Sequence, residues 1–456
     1  MSSDGLSLWQ GQLPDVPSRP SLPGDTAVDV AIVGAGYTGL WTAFYLAKAD
    51  PSMRIVVVER ERAGFGASGR NGGWCSALFP ASWHRMARQA SRSSVIDMQA
   101  ALEDAVDEVG RVAAAEGIEC DYALGGSVVL ARGPAQLLRA KAAVDEARSW
   151  GFGPDTLDLI CAGEAMRRVR ATRTLGAVTT THCAALQPAL LARGLAQAAE
   201  AVGVVIRERT AALEISHRRV RTTHGTVTAD VVLIATEGYT AQLPGRRREL
   251  APVYSLMLAT EPLPDQVWEQ IGLQDRATFS DERHLTIYGQ RTADGRIAFG
   301  GRGAPYHFGS RIDPAYELVG AVHTALQTSL VELFPVLADA TITHRWGGNL
   351  GVPRDWYPSV GLDHASGTAW AGGYVGDGVA TANLAGRTLA DLITGRDTAR
   401  THLPWVRRRT ARWEPEPLRW AGVNAVTALM SRADRTEART GRPSLAAAGF
   451  WRALGQ

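Results

Sequence analysis

"VDVAIVGAGYTGLWTAFYLAKADPSMRIVVVER", residues 28–60, decides the fold of this chain. It begins with a continuous apolar run at 28–33, which predicts a buried strand. Residues 38–48 have the apolar spacing of a helix, and residues 54–58 form a second apolar run. Strand, glycine turn, helix and strand within about 30 residues predict a βαβ unit in a parallel sheet.

The turn between the first strand and the helix carries the pattern GxGxxG at Gly34, Gly36 and Gly39. The first glycine permits a tight turn, the second lets a pyrophosphate approach the backbone, and the third allows close helix–strand packing. Glu59 lies at the end of the second strand, where its carboxylate can accept hydrogen bonds from ribose hydroxyls. A glycine turn that binds nothing is the alternative. The acidic residue disfavours a 2′-phosphate, so FAD and NAD both remain as ligands.

A second glycine cluster, GFGASGRNGG at 64–73, follows within a few residues. Backbone N–H groups, the Ser68 hydroxyl and the Arg70 guanidinium suit a second phosphate or a polyol chain. Simple NAD dehydrogenases generally lack a glycine loop at this place, so the cluster favours FAD. A flexible surface loop is the alternative.

Composition excludes several classes of protein. The chain has 456 residues, 45% hydrophobic and 21% charged, with 48 Lys+Arg against 46 Asp+Glu. Such a balance gives no broad field for nucleic acid. The four cysteines are widely spaced, without a CxxC pair, which argues against a disulfide framework or a metal site. We find no apolar signal core and no apolar run long enough for a membrane helix, and expect a cytoplasmic protein without a membrane partner.

The rest of the chain alternates between helical and strand-rich stretches. We predict helices at 87–116, 134–150 and 188–202, a strand–turn–strand at 120–132, and strands at 204–209, 212–216, 219–223 and 227–236. Residues 251–345 are mostly strands by pattern, 369–394 return to strand, glycine turn and helix, and the remainder is helical. This pattern predicts an α/β, Rossmann-like domain built from discontinuous segments and an antiparallel β-sheet substrate domain. The predicted pieces are an N-terminal arm (1–27), nucleotide-binding parts (28–116, 181–250 and 341–400), substrate-domain parts (117–180 and 251–340) and a C-terminal helical tail (401–456).

Five motifs in order resemble the D-amino-acid-oxidase-like family of FAD-dependent oxidoreductases. They are GAGYTGL…VVVERERAGFGASGRNGG, LQPALLARGLAQAAEAVGVVIRERT (186–210), ADVVLIATEGYT (229–240), PVYSLMLATEPL (252–263), and WGGNLGVPRDWYPSVGLD (346–363) with WAGGYVGDGVATANLAGRTLADLITG (370–395). In its motifs the chain is most similar to the γ-glutamylputrescine-oxidising branch.

The resemblance implies FAD in an extended site. Some family members attach FAD covalently, through residues at other motif positions, and Cys75 and His84 are candidates for such a bond here; we expect noncovalent FAD. The helix beginning near Ala380 would stabilise negative charge on the reduced flavin. The residues expected to bind the cofactor are Gly34, Gly36, Tyr37, Thr38, Gly39, Glu59, Arg60, Ala67, Ser68, Gly69, Arg70, Asn71, Gly72, Gly73, Val205, Thr210, Thr236, Gly238, Gly347, Gly373, Tyr374, Gly376, Asp377, Gly378, Val379, Ala380 and Thr381.

The family reaction is oxidation of a C–N bond in an amine or amino acid. Hydride passes from the α-carbon to flavin N5, the imine hydrolyses, and O2 or another acceptor reoxidises the flavin, with H2O2 as the product from O2. Other chemistry on the same fold, such as oxidative cyclisation or desaturation by a dehydrogenase, is the alternative. The sequence leaves a homo-oligomer open.

Substrate and catalytic residues are less marked in the sequence. Glycine-oxidase-like members carry a carboxylate-binding arginine after the "W-G" motif, where this chain has Leu350, so we expect an amine rather than a plain α-amino acid. Arg302 could supply another clamp for a carboxylate. The catalytic candidates are Tyr254, Arg302, Trp346 and His344, and we predict no metal site.

Overall fold

The structure, a computed structural model, describes residues 6–15 and 17–453. Several of its helices begin at a side-chain cap, because Ser7, Ser82, Ser91 and Gln187 each accept a backbone N–H of the first turn. In the described part of the chain the helices are α1 (Leu8–Gly11), α2 (Tyr37–Ala49), α3 (Trp83–Gln89), α4 (Arg92–Ala115), α5 (Pro134–Trp150), α6 (Ala162–Arg168), α7 (Pro188–Ala201), α8 (Asp265–Ile271), α9 (Gly320–Leu333), α10 (Gly378–Ile393), α11 (Leu418–Thr440) and α12 (Leu445–Ala453).

The strands form two large sheets and one small pair. They are β1 (Thr26–Val33), β2 (Ile55–Val58), β3 (Trp74–Ser76), β4 (Ser127–Ala131), β5 (Asp158–Cys161), β6 (Gly176–Thr180), β7 (Cys183–Ala185), β8 (Val205–Arg207), β9 (Ala212–Ser216), β10 (Arg219–Thr222), β11 (Gly225–Ile234), β12 (Leu250–Thr260), β13 (Thr278–Asp281), β14 (Ile287–Arg291), β15 (Ile297–Gly301), β16 (Ile342–Pro353), β17 (Ser359–Asp363) and β18 (Thr368–Gly372).

The first sheet contains the βαβ unit and is largely parallel. Its order is β17-β18-β11-β1-β2-β8, and β9 and β10 extend β11 as an antiparallel ribbon. Val30 lies opposite both Ile55 and Val231, which places β1 in the centre. Both faces of β1 are covered, and α2 and α10 pack on one of them. A buried central strand must be apolar on both sides, which explains the continuous apolar run at 28–33.

The second sheet is mixed but mainly antiparallel, in the order β16-β12-β15-β14-β13-β4-β6-β5. Its longest pairing joins β12 and β16, from Leu250 opposite Pro353 to Thr260 opposite Ile342. The β13–β4 pair is parallel. Strands drawn from distant parts of the chain build each sheet, so the predicted fold class of discontinuous segments agrees with the structure.

Several local predictions differ from the structure. The helix expected at 87–116 is two helices, because Ser91 caps a new helix by accepting the Ser94 N–H. Within 120–132 only β4 is a strand, and residue 123 makes a single bridge to 185. Residues 251–345 include α8 and α9. The arm contains α1, whose Leu8 and Trp9 are buried, although its residues 1–5 and 16 lie outside the described part. Residues 342–353 pair with the second sheet, not the first.

No helix in residues 6–15 and 17–453 is long and apolar enough to cross a membrane.

Candidate functional site

A cavity of about 390 Å³ lies at the carboxyl ends of β1, β2 and β11. In open parallel sheets, ligands bind in this crevice. Its wall is formed by both glycine clusters, the loop after β11, residues 349 and 350 of β16, and the start of α10. The predicted cofactor residues that line it are Gly34, Gly36, Tyr37, Thr38, Glu59, Arg60, Ala67, Ser68, Asn71, Thr236, Gly238, Tyr374, Gly376, Gly378 and Val379.

The first glycine cluster excludes side chains for steric reasons. A Cβ at Gly39 would lie 2.0 Å from the Gly34 carbonyl oxygen, and a Cβ at Gly34 would lie 2.6 Å from the Ala235 carbonyl oxygen. Gly34 also has φ +107°. Gly36 is the N-cap of α2, and a Cβ there would point toward Ser68 Oγ at 3.0 Å. The glycines therefore let the turn pack closely against its neighbours, and the cavity lies at the N-terminus of α2, where anions are stabilised.

Glu59 faces the cavity from the end of β2. Its carboxylate accepts the Ala35 N–H at 2.8 Å and the Glu61 N–H at 3.0 Å. Burial raises the pKa of this carboxyl above its usual value. Each oxygen keeps a second acceptor position, so Glu59 can still accept hydroxyl donors. Arg60 covers the ring of Tyr239 beside it, with 5.1 Å between the guanidinium carbon and the ring centroid.

The second glycine cluster is tied to the first. Ser68 Oγ accepts the backbone N–H of Tyr37 at 2.9 Å. Asn71 holds the loop in shape, because its amide oxygen accepts the Gly73 N–H and its amide nitrogen donates to the Ala67 and Ser68 carbonyls. Gly69, Gly72 and Gly73 lie outside the wall.

Arg70 is not part of the cavity wall. Its guanidinium forms an ion pair with Glu317 and donates to the Phe65 carbonyl at 3.0 Å. Burial raises the pKa of Glu317 to about 7 even beside this arginine. The guanidinium thus pairs with a carboxylate from residues 314–318, which lie beside β16. The Arg70 backbone carbonyl accepts the Trp346 Nε1–H at 2.9 Å.

Glu237 is a residue of the wall that the sequence analysis missed. It has φ +43° and accepts the N–H groups of Gly373 at 2.8 Å and Tyr374 at 3.2 Å. Burial raises its pKa to about 7. Glu237 comes shortly after the apolar run of β11, as Glu59 comes directly after that of β2. An acidic residue at the carboxyl end of a buried parallel strand is the sequence signal that could have identified Glu237 as part of the site.

The start of α10 forms the opposite end of the cavity. Asp377 is the N-cap, and burial raises its pKa to about 6. The hydroxyls of Thr38 in α2 and Tyr374 before α10 are hydrogen bonded at 2.9 Å. The N-termini of α2 and α10 therefore both face one cavity. Ala380 and Thr381 are fully buried within α10, and Gly373 packs beside Pro353.

Leu350 and Arg302 flank Gly376 at this end. A Cβ at Gly376 would lie 3.5 Å from Arg302 Nη2 and 3.5 Å from Leu350 Cδ1. Arg302 Nη2 donates to the Val375 carbonyl at 2.6 Å, and the ring of Trp356 covers the guanidinium at 5.4 Å. Trp356 itself contacts Trp451 of α12 edge to face at 5.8 Å.

The remaining catalytic candidates lie outside the cavity wall. The Tyr254 hydroxyl accepts the Asp313 N–H at 3.1 Å and lies 3.3 Å from its carbonyl oxygen. Trp346 is fully buried and packs edge to face on Trp9 at 6.2 Å. His344 bonds Thr343 Oγ1 through Nδ1 at 2.9 Å, and burial lowers its pKa. These contacts are typical of packing roles.

Two residues predicted for the adenine end also lie outside the wall. Val205 is on the edge strand β8 and is exposed, while the Thr210 hydroxyl accepts the Leu22 N–H and donates to the Glu208 carbonyl. Gly347 packs against Leu256 in the second sheet. The wall instead contains Leu350, which the sequence placed on the substrate side, and residues that the sequence did not reveal: Val33, Val58, Phe65, Gly66, Ala211, Ala212, Leu213, Ala235, Glu237, Tyr239, Gln242, Leu243, Asn349 and Ala382.

A family model described as FAD-dependent oxidoreductase (DAO) matches residues 29–392. The chain belongs to this family. It is 30% identical over 404 residues to the probable oxidoreductase OrdL of Rhizobium meliloti (strain 1021), covering 87% of this chain and 90% of the relative. It is 32% identical over 378 residues to γ-glutamylputrescine oxidoreductase of Escherichia coli (strain K12), covering 80% and 84%.

Solved structures share the fold of this FAD-dependent oxidoreductase. Glycine oxidase from Geobacillus kaustophilus superposes with a TM-score of 0.70 at 22% identity, covering 84% of this chain and 99% of the other. L-proline dehydrogenase from P. horikoshii gives a TM-score of 0.66 at 18% identity, covering 84% and 98%. This likeness confirms the predicted fold class.

The residues of the cavity fit FAD, the cofactor of this family. Gly36 leaves the N-terminus of α2 open to a phosphate, and Glu59 offers acceptors to a ribose. Within the described residues, the buried amide of Asn349 in the wall interacts with Tyr239 but makes no hydrogen bond of normal length and angle. Buried polar atoms are normally paired, so a polar ligand is expected here. No group of three or more His, Cys, Asp and Glu residues in the described ranges could hold a metal ion.

Proposed function

We propose that this FAD-dependent oxidoreductase oxidises a C–N bond of a small amine or amino acid. The observation that carries the proposal is the convergence of the α2 and α10 N-termini, with both glycine loops, on one cavity. The relatives named above include an enzyme that acts on γ-glutamylputrescine, and this supports an amine as the substrate.

The chain's own residues suggest how FAD lies in the cavity. Glu59 would accept the hydroxyls of the adenosine ribose, and the first turn of α2 would hold the pyrophosphate. The loop of Ala67, Ser68 and Asn71 would follow the ribityl chain. The isoalloxazine would then lie near Gly376, Gly378 and Val379, with Asn349 and Glu237 beside it.

When bound, FAD supplies the two-electron oxidation: it takes a hydride equivalent from the carbon next to nitrogen and passes the electrons to O2, giving H2O2, or to another acceptor. The protein has to orient that C–H bond, keep the amine neutral and exclude water. The N-terminus of α10 would stabilise negative charge that develops nearby. The imine product hydrolyses to a carbonyl compound and ammonia or an amine.

The apolar Leu350 supports an amine over a plain α-amino acid, because an aliphatic side chain offers no donor to an α-carboxylate. The Arg302 guanidinium approaches Gly376 at this end of the cavity. One of its nitrogens holds the Val375 carbonyl, and guanidinium has five N–H donors. An acidic group elsewhere on the substrate could therefore bind the remaining donors.

We propose that FAD is held without a covalent bond. Cys75, the thiol nearest the second glycine cluster in sequence, is fully buried in β3, and burial raises its pKa. A thiol of raised pKa is a poor nucleophile. His84, the other candidate for a covalent bond, lies on α3 outside the cavity wall, with its Nε2 3.6 Å from the Glu146 carboxylate.

An anaerobic substrate screen tests the proposal. The purified holoenzyme would be mixed with matched pairs of amines that differ only in an α-carboxylate, and loss of the visible flavin band would be recorded. We expect the amines without the α-carboxylate to reduce the flavin faster. If neither member of any pair bleaches it, C–N oxidation is wrong. Admission of air with peroxidase-coupled detection of H2O2 then tests O2 as the acceptor, and flavin released by acid precipitation tests noncovalent binding.

A further inference from the structure

The C-terminal tail carries an excess of positive charge. Residues 401–456 contain ten arginines and four acidic residues, whereas the whole chain is nearly balanced. In the sequence the acidic residues are interspersed among the arginines, which argues against a cationic surface. The structure separates the two sets.

All four acidic side chains of the tail have partners. The Glu414 carboxylate accepts a hydrogen bond from Arg354 Nε at 2.8 Å, and the Glu416 carboxylate accepts one from Arg419 Nη2 at 2.8 Å. Asp434 accepts the backbone N–H groups of residues 284 and 285 at 2.7 and 2.9 Å. Glu437 is buried between Arg139 and His284, at 2.8 and 2.9 Å. None of these carboxylates is left to neutralise the outer face of α11.

The outer face of α11 is one continuous stripe. Its residues follow a spacing of three and four along the helix, which places them on one side, and all of them are exposed. We call it the α11 stripe: Leu418, Ala421, Ala425, Ala428, Arg432, Arg435 and Arg439. The first half is apolar and the second half is cationic. The opposite side, with Met430, Ala433 and Glu437, is buried against the body.

The three stripe arginines are uncompensated. Arg432, Arg435 and Arg439 line a surface groove with Thr436, and in the described ranges none of the three forms an ion pair. Arg442 and Arg452 are also exposed nearby. Two exposed leucines lie at the ends of this face: Leu418, 64% exposed, begins the stripe, and Leu445, 89% exposed, lies just beyond the arginine end.

We propose that the α11 stripe docks on the surface of an anionic phospholipid bilayer. Clusters of four to eight basic residues on an amphipathic helix are typical of binding to anionic headgroups, and the three stripe arginines together with Arg442 and Arg452 make five. Exposed leucines at the two ends of this face add apolar contact at the acyl boundary, which a polyanion such as nucleic acid would not use. The stripe spans about 30 Å at 1.5 Å per residue, and a straight helix face of this length suits a flat surface. The docking is independent of the oxidation proposed above.

Vesicle co-sedimentation of the full-length holoenzyme tests this surface. We expect binding to vesicles of equal parts phosphatidylglycerol and phosphatidylcholine at low salt, loss of binding at high salt, and no binding to pure phosphatidylcholine. The triple variant R432Q/R435Q/R439Q should bind roughly 100-fold more weakly, given the contribution of each arginine near a membrane surface. Leu418→Glu should also weaken vesicle binding.

The matched control is R88Q/R167Q/R219Q, which removes three exposed arginines from other surfaces. It should bind vesicles like the unchanged enzyme. All variants should keep the flavin spectrum and the turnover of the parent, because the stripe lies outside the cavity wall. Equal binding by the two triple variants would overturn the proposal. So would absence of binding to the anionic vesicles, or binding of a DNA fragment or an acidic protein in place of the vesicles.

Discussion

The hydroxyl of Ser68 accepts the backbone N–H of Tyr37, at an oxygen–nitrogen distance of 2.9 Å. This bond joins the second glycine cluster to the first turn of α2, so the two clusters form one wall of the cavity. The second cluster is therefore held in place by the first.

Ser68→Ala should weaken FAD binding by loosening this loop. A hydrogen bond of this kind is worth about 1 kcal/mol, so we expect the Kd for FAD to rise roughly fivefold. Titration of apoprotein with FAD, followed by flavin fluorescence, measures it. Ser93→Ala, at an exposed position of α4, is the control. A Kd that does not change in Ser68→Ala would show that the bond does not position the cofactor loop.

Gly39→Ala should destabilise the fold, because its Cβ would lie 2.0 Å from the Gly34 carbonyl oxygen and 3.1 Å from Ile32. Overpacking of this kind costs about 1–3 kcal/mol. Thermal unfolding of the apoprotein measures the loss. Gly163→Ala in α6 meets nothing within 4 Å and should instead stabilise by up to about 1 kcal/mol, since alanine favours helix. Equal melting temperatures for the two variants would contradict the steric argument.

Glu237 should make stability depend on pH. Burial raises its pKa to about 7 from the ordinary value of 4.5. Between these values the folded state binds more protons than the unfolded state, so this carboxyl's contribution to the free energy of unfolding falls as pH rises. In Glu237→Gln the melting temperature of the apoprotein should therefore fall less between pH 4.5 and 7. Glu214→Gln, an exposed carboxyl of β9, is the control. A parent-like slope in Glu237→Gln would exclude this carboxyl as the source.

Arg302→Lys should affect substrates according to their charge. Lysine cannot form the two parallel hydrogen bonds that guanidinium makes to a carboxylate. We expect the KM for amines that carry a distal carboxylate to rise roughly tenfold, at about 1.5 kcal/mol for a charge-assisted bond, with little change for simple amines. Arg291→Lys is the matched control, since that arginine, at the end of β14, also covers a tryptophan, Trp268 of α8. Equal increases for both substrate sets would indicate that Arg302 acts only by holding Val375.

Much of the first sheet could be predicted from local patterns. The run at 28–33 and the glycines 34, 36 and 39 specify a buried strand and a tight turn whatever the rest of the chain does. The break between α3 and α4 was missed because apolar periodicity continues across Ser91, and only the cap shows that a new helix begins.

Placement of side chains at the cavity was less predictable. Arg70 and Ser68 belong to one short motif, yet only Ser68 lines the cavity, because Glu317 from another part of the chain holds the arginine. Glu237 and Asn349 were missed because each reaches the wall through a loop or strand whose neighbours are distant in sequence. Trp346 and His344 come only a few residues before Asn349 and Leu350, which line the cavity, but strand β16 places the two earlier residues against α1 and β12.

The sequence by itself determined the βαβ unit, the pair of glycine loops and the family, because these depend on turns and periodicity within short segments. Only the tertiary structure decided which charges face outward and which side chains meet. It brought the start of α10 beside that of α2, gave Arg70 a carboxylate partner, and gave Asp434 and Glu437 of α11 partners in the body while Arg432, Arg435 and Arg439 remained exposed. The physical reason is that ion pairing and burial depend on distances between residues far apart in the chain, and no local pattern contains those distances.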